Sequence, residues 1–326
     1  MFEIATPSRV HMTLIDMNGG FGRQDGSAGL ALKEGGVTLR AQKSDDFSIL
    51  DAEGNSFRSE MELYDYVFKS VAPLLDVKEG RGIEIQLLSD VKQHIGLGSG
   101  TQLALSAAKA VNELYALNKN IRELAVLAKR GGTSGIGVLA FEKGGFIVDA
   151  GHKINSKNGF VPSSRSTAKP ADMLLRMDFP DWDVIVAIPP KTGISGDAEK
   201  TFFQSVCPVP QDETFEVSHI VLMQLIPSII EKDIETLGNA IDRLQKLGFK
   251  KHEVQIQPPE VKSLMMEMKK CGAYGAGVSS FGPAVYGFSE SRNESEDIKS
   301  TLLEKMPKGS DVMITKANNS GASWHA

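Results

Sequence analysis

The stretch His94-Ile95-Gly96-Leu97-Gly98-Ser99-Gly100-Thr101-Gln102 constrains the fold more than any other part of this chain. It lies between a strand-like segment, Ile83-Glu84-Ile85-Gln86-Leu87, and a run in which Leu103, Ala107, Val111 and Leu114 recur at helical spacing. That recurrence gives the run one apolar face. A glycine-rich turn opening a helix presents backbone N–H groups without intrahelical partners at the positive end of the helix dipole, a setting for phosphate or diphosphate. Tight-turn geometry alone is the other use of such glycines. No Gly-Lys-Ser/Thr follows, so this is not a Walker loop, and the third glycine is misplaced for a dinucleotide fingerprint.

A length of 326 residues is enough for one large domain or two ordinary ones. The hydrophobic and charged fractions, 41% and 24%, are those of an ordinary globular chain. A formal net charge of −5 argues against non-specific binding to nucleic acid or to a membrane surface. Cys207 and Cys271 form no framework and show no metal spacing, so a reducing cytoplasm is the expected setting. No signal peptide is expected from Met1-Phe2-Glu3-Ile4-Ala5-Thr6-Pro7. The most apolar window, Ile220 to Ile230, is too short to span a bilayer and contains Gln224 and Pro227.

Strands are expected at Phe2–Ala5 and along Arg9–Leu14, where Val10, Met12 and Leu14 alternate with Arg9, His11 and Thr13. The polar row faces either a cleft or solvent. Phe21–Gly29 reads as a loop carrying Arg23 and Asp25, and Val37–Arg40 and Phe47–Leu50 as hairpin strands. Helices are expected over Glu60–Leu75, Glu216–Glu231, Asp233–Leu247, Pro259–Cys271 and Ser295–Lys305. Asn155–Pro170 reads as a surface loop and boundary. Strand and helix do not alternate regularly, which predicts an α+β fold in two halves, 1–172 and 173–326.

Three glycine-rich segments in order, near 94–102, 131–137 and 272–282, resemble the GHMP kinase superfamily. Gly96-Leu97-Gly98-Ser99-Gly100 matches its phosphate loop, Ser134-Gly135-Ile136 its central segment, and Ala276–Gly282 its closing loop. Two departures stand out. The residue after Ser-Gly-Ile, an aspartate base in several kinases, is Gly137, and the second serine of the phosphate loop is Gly100. Pro7–Asp16, Gly22–Gly26, Arg130–Gly137 and Ser279–Pro283 are similar to one non-kinase branch, the β-ribofuranosylaminobenzene 5′-phosphate synthases, to whose pattern Gly137 belongs.

The resemblance implies a GHMP-kinase-like two-domain fold with a ligand cleft between the halves and the first and third glycine motifs on opposite walls. It also implies a reaction without ATP. A para-substituted benzoate such as 4-aminobenzoate joins phosphoribosyl diphosphate, losing CO2 and diphosphate, in methanopterin biosynthesis. The phosphate loop (His94, Gly96, Gly98, Ser99, Gly100 and Thr101) then holds the donor. Asp16, with Asp25 second, is expected to stabilise the sugar cation and hold Mg2+. Arg9 and Arg23 are candidates for a carboxylate clamp, with Arg130 a further one. His11, His94 and His152 are candidates for proton transfer or phosphate contact, and Asp16 is equally suited to closing the Asn18-Gly19 turn. Thr133, Ser134, Ser279 and Ser280 are expected to touch substrate, with Lys191, Ser195 and Glu199 lining the cleft from the second half. Partners are small molecules, with a homodimer implied by the family. The competing readings are an ATP-dependent small-molecule kinase and a ligand-sensing protein on the same scaffold.

Overall fold

A computed structural model describes residues 1–56, 61–75, 80–194 and 196–325. Its strands form three sheets. The first runs in the order β14 (Ser323–His325), β1 (Phe2–Ala5), β4 (Thr38–Ser44), β6 (Gly82–Leu87), β5 (Phe47–Leu50). The second runs β2 (Ser8–Asp16), β3 (Arg23–Leu32), β7 (Phe146–Asp149), β9 (Met173–Met177), with β8 (His152–Lys153) pairing the start of β3. The third runs β11 (Tyr274–Val278), β12 (Val285–Ser289), β10 (Asp183–Ile188), β13 (Asp311–Lys316). The α+β class expected from the sequence is the one observed.

Apolar residues of helices Ser99–Leu114 and Met61–Val71 cover the first sheet, with Leu103, Ala107 and Val111 fully buried beside Ile83 and Ile85. A second core joins the two halves. Val10, Met12 and Leu30 of the second sheet pack in one cluster with Val184, Val186 and Tyr286 of the third, and with Val217, Leu237 and Ile241 from helices. The cleft therefore has a continuous apolar floor shared by both halves.

Several local readings differ from the structure. Phe21–Gly29 reads as a loop, yet Arg23 onward is strand β3, paired with β2 and β7. Gly29 marks close approach instead of a turn: a Cβ there would lie 2.5 Å from Ile136 Cγ2 and 2.7 Å from the Val10 carbonyl. β4 and β5 are not hairpin partners, because β6 inserts between them, antiparallel to β4 and parallel to β5. Asn155–Pro170 is no simple surface loop, since Lys157 lies buried within it. Helix Gly248–Gln255, not expected from the sequence, follows helix Ile234–Leu244 directly. Helix Glu216–Glu231 is interrupted by a π-helical turn at Val221–Leu225, and Glu60 of the Glu60–Leu75 helix lies outside the described residues.

Candidate active site

β2 carries Arg9 and His11 along one edge of a cavity of about 140 Å3. The register of β2 against β3 shifts between His11 and Thr13, a local bulge of the kind that redirects side chains beside sites. Thr101 enters from helix Ser99–Leu114, Gly137 and Val138 from helix Ile136–Lys143, Glu199 and Phe203 from helix Gly196–Val206, and Glu253 from helix Gly248–Gln255. Thr133, Ser134 and Ser163 complete the wall on one side, Ser280 and Phe281 on the other. The cavity thus draws on both halves, as the cleft expectation requires.

The glycine-rich loop adopts the left-handed conformations its sequence permits, with φ 90° at Gly96 and 79° at Gly98, the residue preceding the helix. It does not face the third glycine segment across the cleft; the two abut. Ser279 Oγ donates to the Gly96 carbonyl at 2.7 Å, and a Cβ on Gly96 would stand 2.5 Å from the Ser279 carbonyl oxygen. Arg9 Nη1 donates to the same Gly96 carbonyl, and the Ala284 N–H donates to the Ile95 carbonyl at 3.2 Å. The Ser99 hydroxyl is engaged with the Lys92 carbonyl at 2.7 Å, so the loop offers backbone and Thr101 more than Ser99 to a ligand. His94 is exposed, in a left-handed conformation at φ 56°, and is not among the residues lining this cavity.

The glycines that depart from the kinase pattern are matched by neighbours. Tyr66 donates its hydroxyl to the Gly100 carbonyl at 2.6 Å, and a Cβ at Gly100 would lie 2.9 Å from that oxygen. The guanidinium of Arg130 lies over the Tyr66 ring, 4.8 Å from its centroid, with a buried Nε that has no partner. A Cβ at Gly137 would meet Thr101 Cγ2 at 3.1 Å.

The cavity is electrostatically mixed. Burial lowers the Arg9 pKa to about 10, opposed by Glu253, so the guanidinium stays charged at neutral pH. Burial, then Lys250 and Arg9, hold the His11 imidazole well below its ordinary value, so it is neutral. Lys250 is itself buried, paired to Glu253 at 2.5 Å and donating to the Val278 carbonyl at 3.2 Å; burial lowers its pKa against the pull of Glu253. Glu199 is raised to about 7, by burial first and then by Glu253, with Arg130 opposing.

Asp25, expected to act on substrate or metal, is buried in an ion cluster. Lys157 Nζ donates to both of its oxygens, at 3.0 and 2.9 Å, and His152 Nδ1 to Oδ2 at 2.7 Å. His152 Nε2 faces the Lys169 carbonyl at 2.9 Å, so both ring nitrogens act as donors. Burial depresses the His152 pKa, but the hydrogen bonds to Asp25 and Lys169 outweigh it and the net shift is upward. Lys157 also donates to Thr133 Oγ1 at 3.0 Å, fixing one wall of the cavity. Asp16 closes its own turn, accepting the Asn18 and Gly19 N–H groups at 3.0 and 2.8 Å. Arg23 reaches the Ala150 and Gly151 carbonyls at 2.6 and 3.2 Å from an exposed position.

Asp16 and Asp25 do not fit as a Mg2+ cage, because the Asp25 oxygens already hold three N–H donors. Among the described residues no group of three or more His, Cys, Asp or Glu side chains is placed to hold a metal. The structure thus brings together Arg9, His11, Thr101, Thr133, Ser134 and Ser280, and leaves Asp16, Arg23, Asp25, His94, Ser99, Arg130, His152 and Ser279 off the cavity wall. Ser195 lies outside the described residues, and Lys191 faces Glu260 at 3.9 Å outside the cavity. Sequence reasoning missed Lys250, Glu253, Lys157 and Asp149. The Lys250–Glu253 pair had a readable signal, opposite charges at i,i+3.

Comparisons with known proteins give the family and the fold. The model for the GHMP kinases N terminal domain matches residues 65–145, and that for the GHMP kinases C terminal region matches 225–308. A β-ribofuranosylphenol 5′-phosphate synthase from Archaeoglobus fulgidus is 42% identical over 98% of both chains. The chain belongs to the β-ribofuranosylphenol 5′-phosphate synthase family. This family sits within the GHMP kinase superfamily, and a second synthase, from Methanocaldococcus jannaschii, is 41% identical over 98% of both chains. The name of these relatives carries a phenol where the resemblance drawn from the sequence carries an aminobenzene. Among solved structures, Streptococcus pneumoniae phosphomevalonate kinase superposes with a TM-score of 0.68 at 13% identity, covering 97% of this chain and 99% of its own. A putative homoserine kinase from Listeria monocytogenes gives 0.65 at 20% identity, with both chains fully covered. Such likeness shows the shared fold. No helix among the described residues is long and apolar enough to cross a membrane.

Proposed function

We propose that this enzyme joins a para-substituted benzoate to phosphoribosyl diphosphate, releasing CO2 and diphosphate and leaving an aryl C-riboside 5′-phosphate. The observation that carries this reading is Thr101 against Gly137: where several kinases of the superfamily place a carboxylate base, this site has a glycine, and a Cβ added there would press on the Thr101 methyl at 3.1 Å. The relatives named as synthases support it. Their name favours 4-hydroxybenzoate as acceptor, with 4-aminobenzoate the competing choice. Arg9 is a half-buried cation suited to the acceptor carboxylate or a donor phosphate. The loop at Gly98–Gly100 supplies helix-terminal N–H groups for the departing diphosphate. Mg2+ belongs on the donor's diphosphate in this reading, since that ion commonly keeps several waters and shares phosphates instead of entering an all-protein cage. The proposed setting is methanopterin biosynthesis in a cytoplasmic homodimer, on the same family resemblance.

The test is purified protein with phosphoribosyl diphosphate, Mg2+ and carboxyl-labelled benzoate, without ATP, following labelled CO2. Release that requires both substrates supports the transferase, and comparing the hydroxy and amino acceptors fixes the para substituent. Consumption of ATP on a small alcohol, with no CO2 released, would return the chain to the kinases.

A further inference from the structure

A line of hydrogen bonds leads from the cavity into the second sheet. His11 Nε2 lies 3.1 Å from Ser134 Oγ, Ser134 Oγ lies 2.7 Å from Ser27 Oγ, and Ser27 donates to Asp149 Oδ2. Ser27 and Asp149 are fully buried on β3 and β7, facing each other in register. Asp149 also accepts the Gly135 and Gly151 N–H groups, each at 2.9 Å. At the other end, His11 Nδ1 is buried with no partner.

Each hydroxyl in this line has one proton, so the line has a direction. With Asp149 ionised, Ser27 donates to it and must accept from Ser134. Ser134 has then spent its proton and accepts from His11 Nε2–H, which leaves the lone pair on Nδ1. With Asp149 protonated, every bond reverses: Ser134 donates to Nε2, and the ring proton sits on Nδ1. The His11 tautomer and the Asp149 proton are two ends of one ordered chain.

We propose that Asp149, Ser27 and Ser134 form a proton relay that lets His11 take a proton from the acceptor at Nδ1 while passing its Nε2 proton inward to Asp149. This rests on the transferase reading above. The para hydroxyl proton of the acceptor moves to His11 Nδ1, the Nε2 proton to Ser134, the Ser134 proton to Ser27, and the Ser27 proton to Asp149. The electron-rich ring carbon bearing the carboxylate then forms its bond to the sugar carbon as the diphosphate bond breaks. Loss of CO2 returns the electron pair to the ring and oxygen, and the relay runs backward to restore the hydroxyl. No proton is gained or lost overall.

The surroundings suit this division. An imidazolium at His11 is opposed by burial and by the charges of Lys250 and Arg9. Asp149 accepts a proton more readily than an exposed aspartate, at about 6, mainly because of burial and with the nearby Asp25 adding to it, against the hydrogen bonds of Ser27, Gly151 and Gly135. Asp25 is in turn balanced by Lys157 and His152. The proton therefore rests on the carboxylate while the histidine stays neutral.

The experiment is NMR of the full chain with isotope-labelled histidine, the His11 signals assigned by their loss in His11→Gln, from about pH 5 to about pH 8. Expected is a neutral ring throughout, changing from the Nε2–H to the Nδ1–H tautomer as the pH falls through the Asp149 titration. In Ser27→Ala the tautomer no longer follows pH; if that variant does not fold, Ser134→Ala is read in the same way. Expected alongside is a fall in kcat for CO2 release of about 100-fold, with the donor KM little changed. A His11 that titrates to imidazolium in this range, or a tautomer that follows pH equally in the serine variant, overturns the relay. Coupled titration without CO2 release from any benzoate overturns the transferase reading and leaves the relay standing.

Discussion

Thr101 occupies the space beside Gly137: a Cβ built on Gly137 would lie 3.1 Å from Thr101 Cγ2 and 3.3 Å from Thr101 Cβ. Such contacts are tighter than side chains ordinarily make, and a β-branched neighbour on a helix has little freedom to turn away. Adding a carboxylate to this site thus conflicts with packing.

Gly137→Asp is accordingly expected to lower CO2 release by about tenfold or more, through overpacking, without creating ATP-dependent phosphotransfer. In Gly137→Ala the loss is smaller, and Thr101→Ser in the same protein recovers part of it. Steady-state kinetics of the two single variants and the double variant measure the coupling. Additive effects would mean that the two residues do not share the space.

Asp25→Asn removes the carboxylate from a buried cluster and leaves Lys157 with a charge and no counterion. The expected loss is about 3–5 kcal/mol of unfolding free energy, measured by urea denaturation. The sign of its pH dependence follows from His152, whose folded pKa is raised. The stability His152 contributes is complete below its unfolded pKa and declines as pH rises through the folded one. The gap between wild type and Asp25→Asn should therefore narrow toward alkaline pH.

Glu199 titrates at about 7 while lining the cavity. The activity profile of the native enzyme is expected to bend near that pH, and Glu199→Gln to lack the bend. Because the folded pKa is raised, the folded state binds this proton more firmly than the unfolded chain does. Its contribution to stability is present at acid pH and lost as pH rises through about 7. A profile identical in both proteins would remove Glu199 from the chemistry.

Arg9 holds the Gly96 carbonyl and presents the rest of its guanidinium, with an unpartnered Nε, at the cavity edge. Arg9→Lys keeps the charge but loses the planar fork. The expected result is a rise in the donor KM of about tenfold, in line with one charge-assisted hydrogen bond, with kcat changed less. A change in kcat alone would place Arg9 on the reacting atoms.

Several elements of the site were legible because their signals are local. Left-handed glycines before an apolar-periodic helix need only neighbouring residues, so the loop at Gly96–Gly98 could be read directly. The alternation along β2 likewise put Arg9 and His11 on one row, and both line the cavity, although the bulge after His11 takes Thr13 off it and brings Leu14 in. The reading of Asp16 and Arg23 stopped at residue type. Both stand in glycine-rich surroundings that suit catalysis, yet their hydrogen bonds go to nearby backbone.

What the sequence by itself determined was the α+β class, the glycine loop and the family, each encoded in short-range pattern or in motifs taken in order. Tertiary structure alone decided which charges meet. Lys157 reaches Asp25 from a tract that reads as surface loop, and Asp149 reaches His11 through two serines on separate segments. Burial sets the consequence: the same carboxylate that would be an ordinary acid in water is a cation's partner at position 25 and an acceptor of protons at position 149. Desolvation and long-range partners fix those roles, and neither is written in the residues on either side.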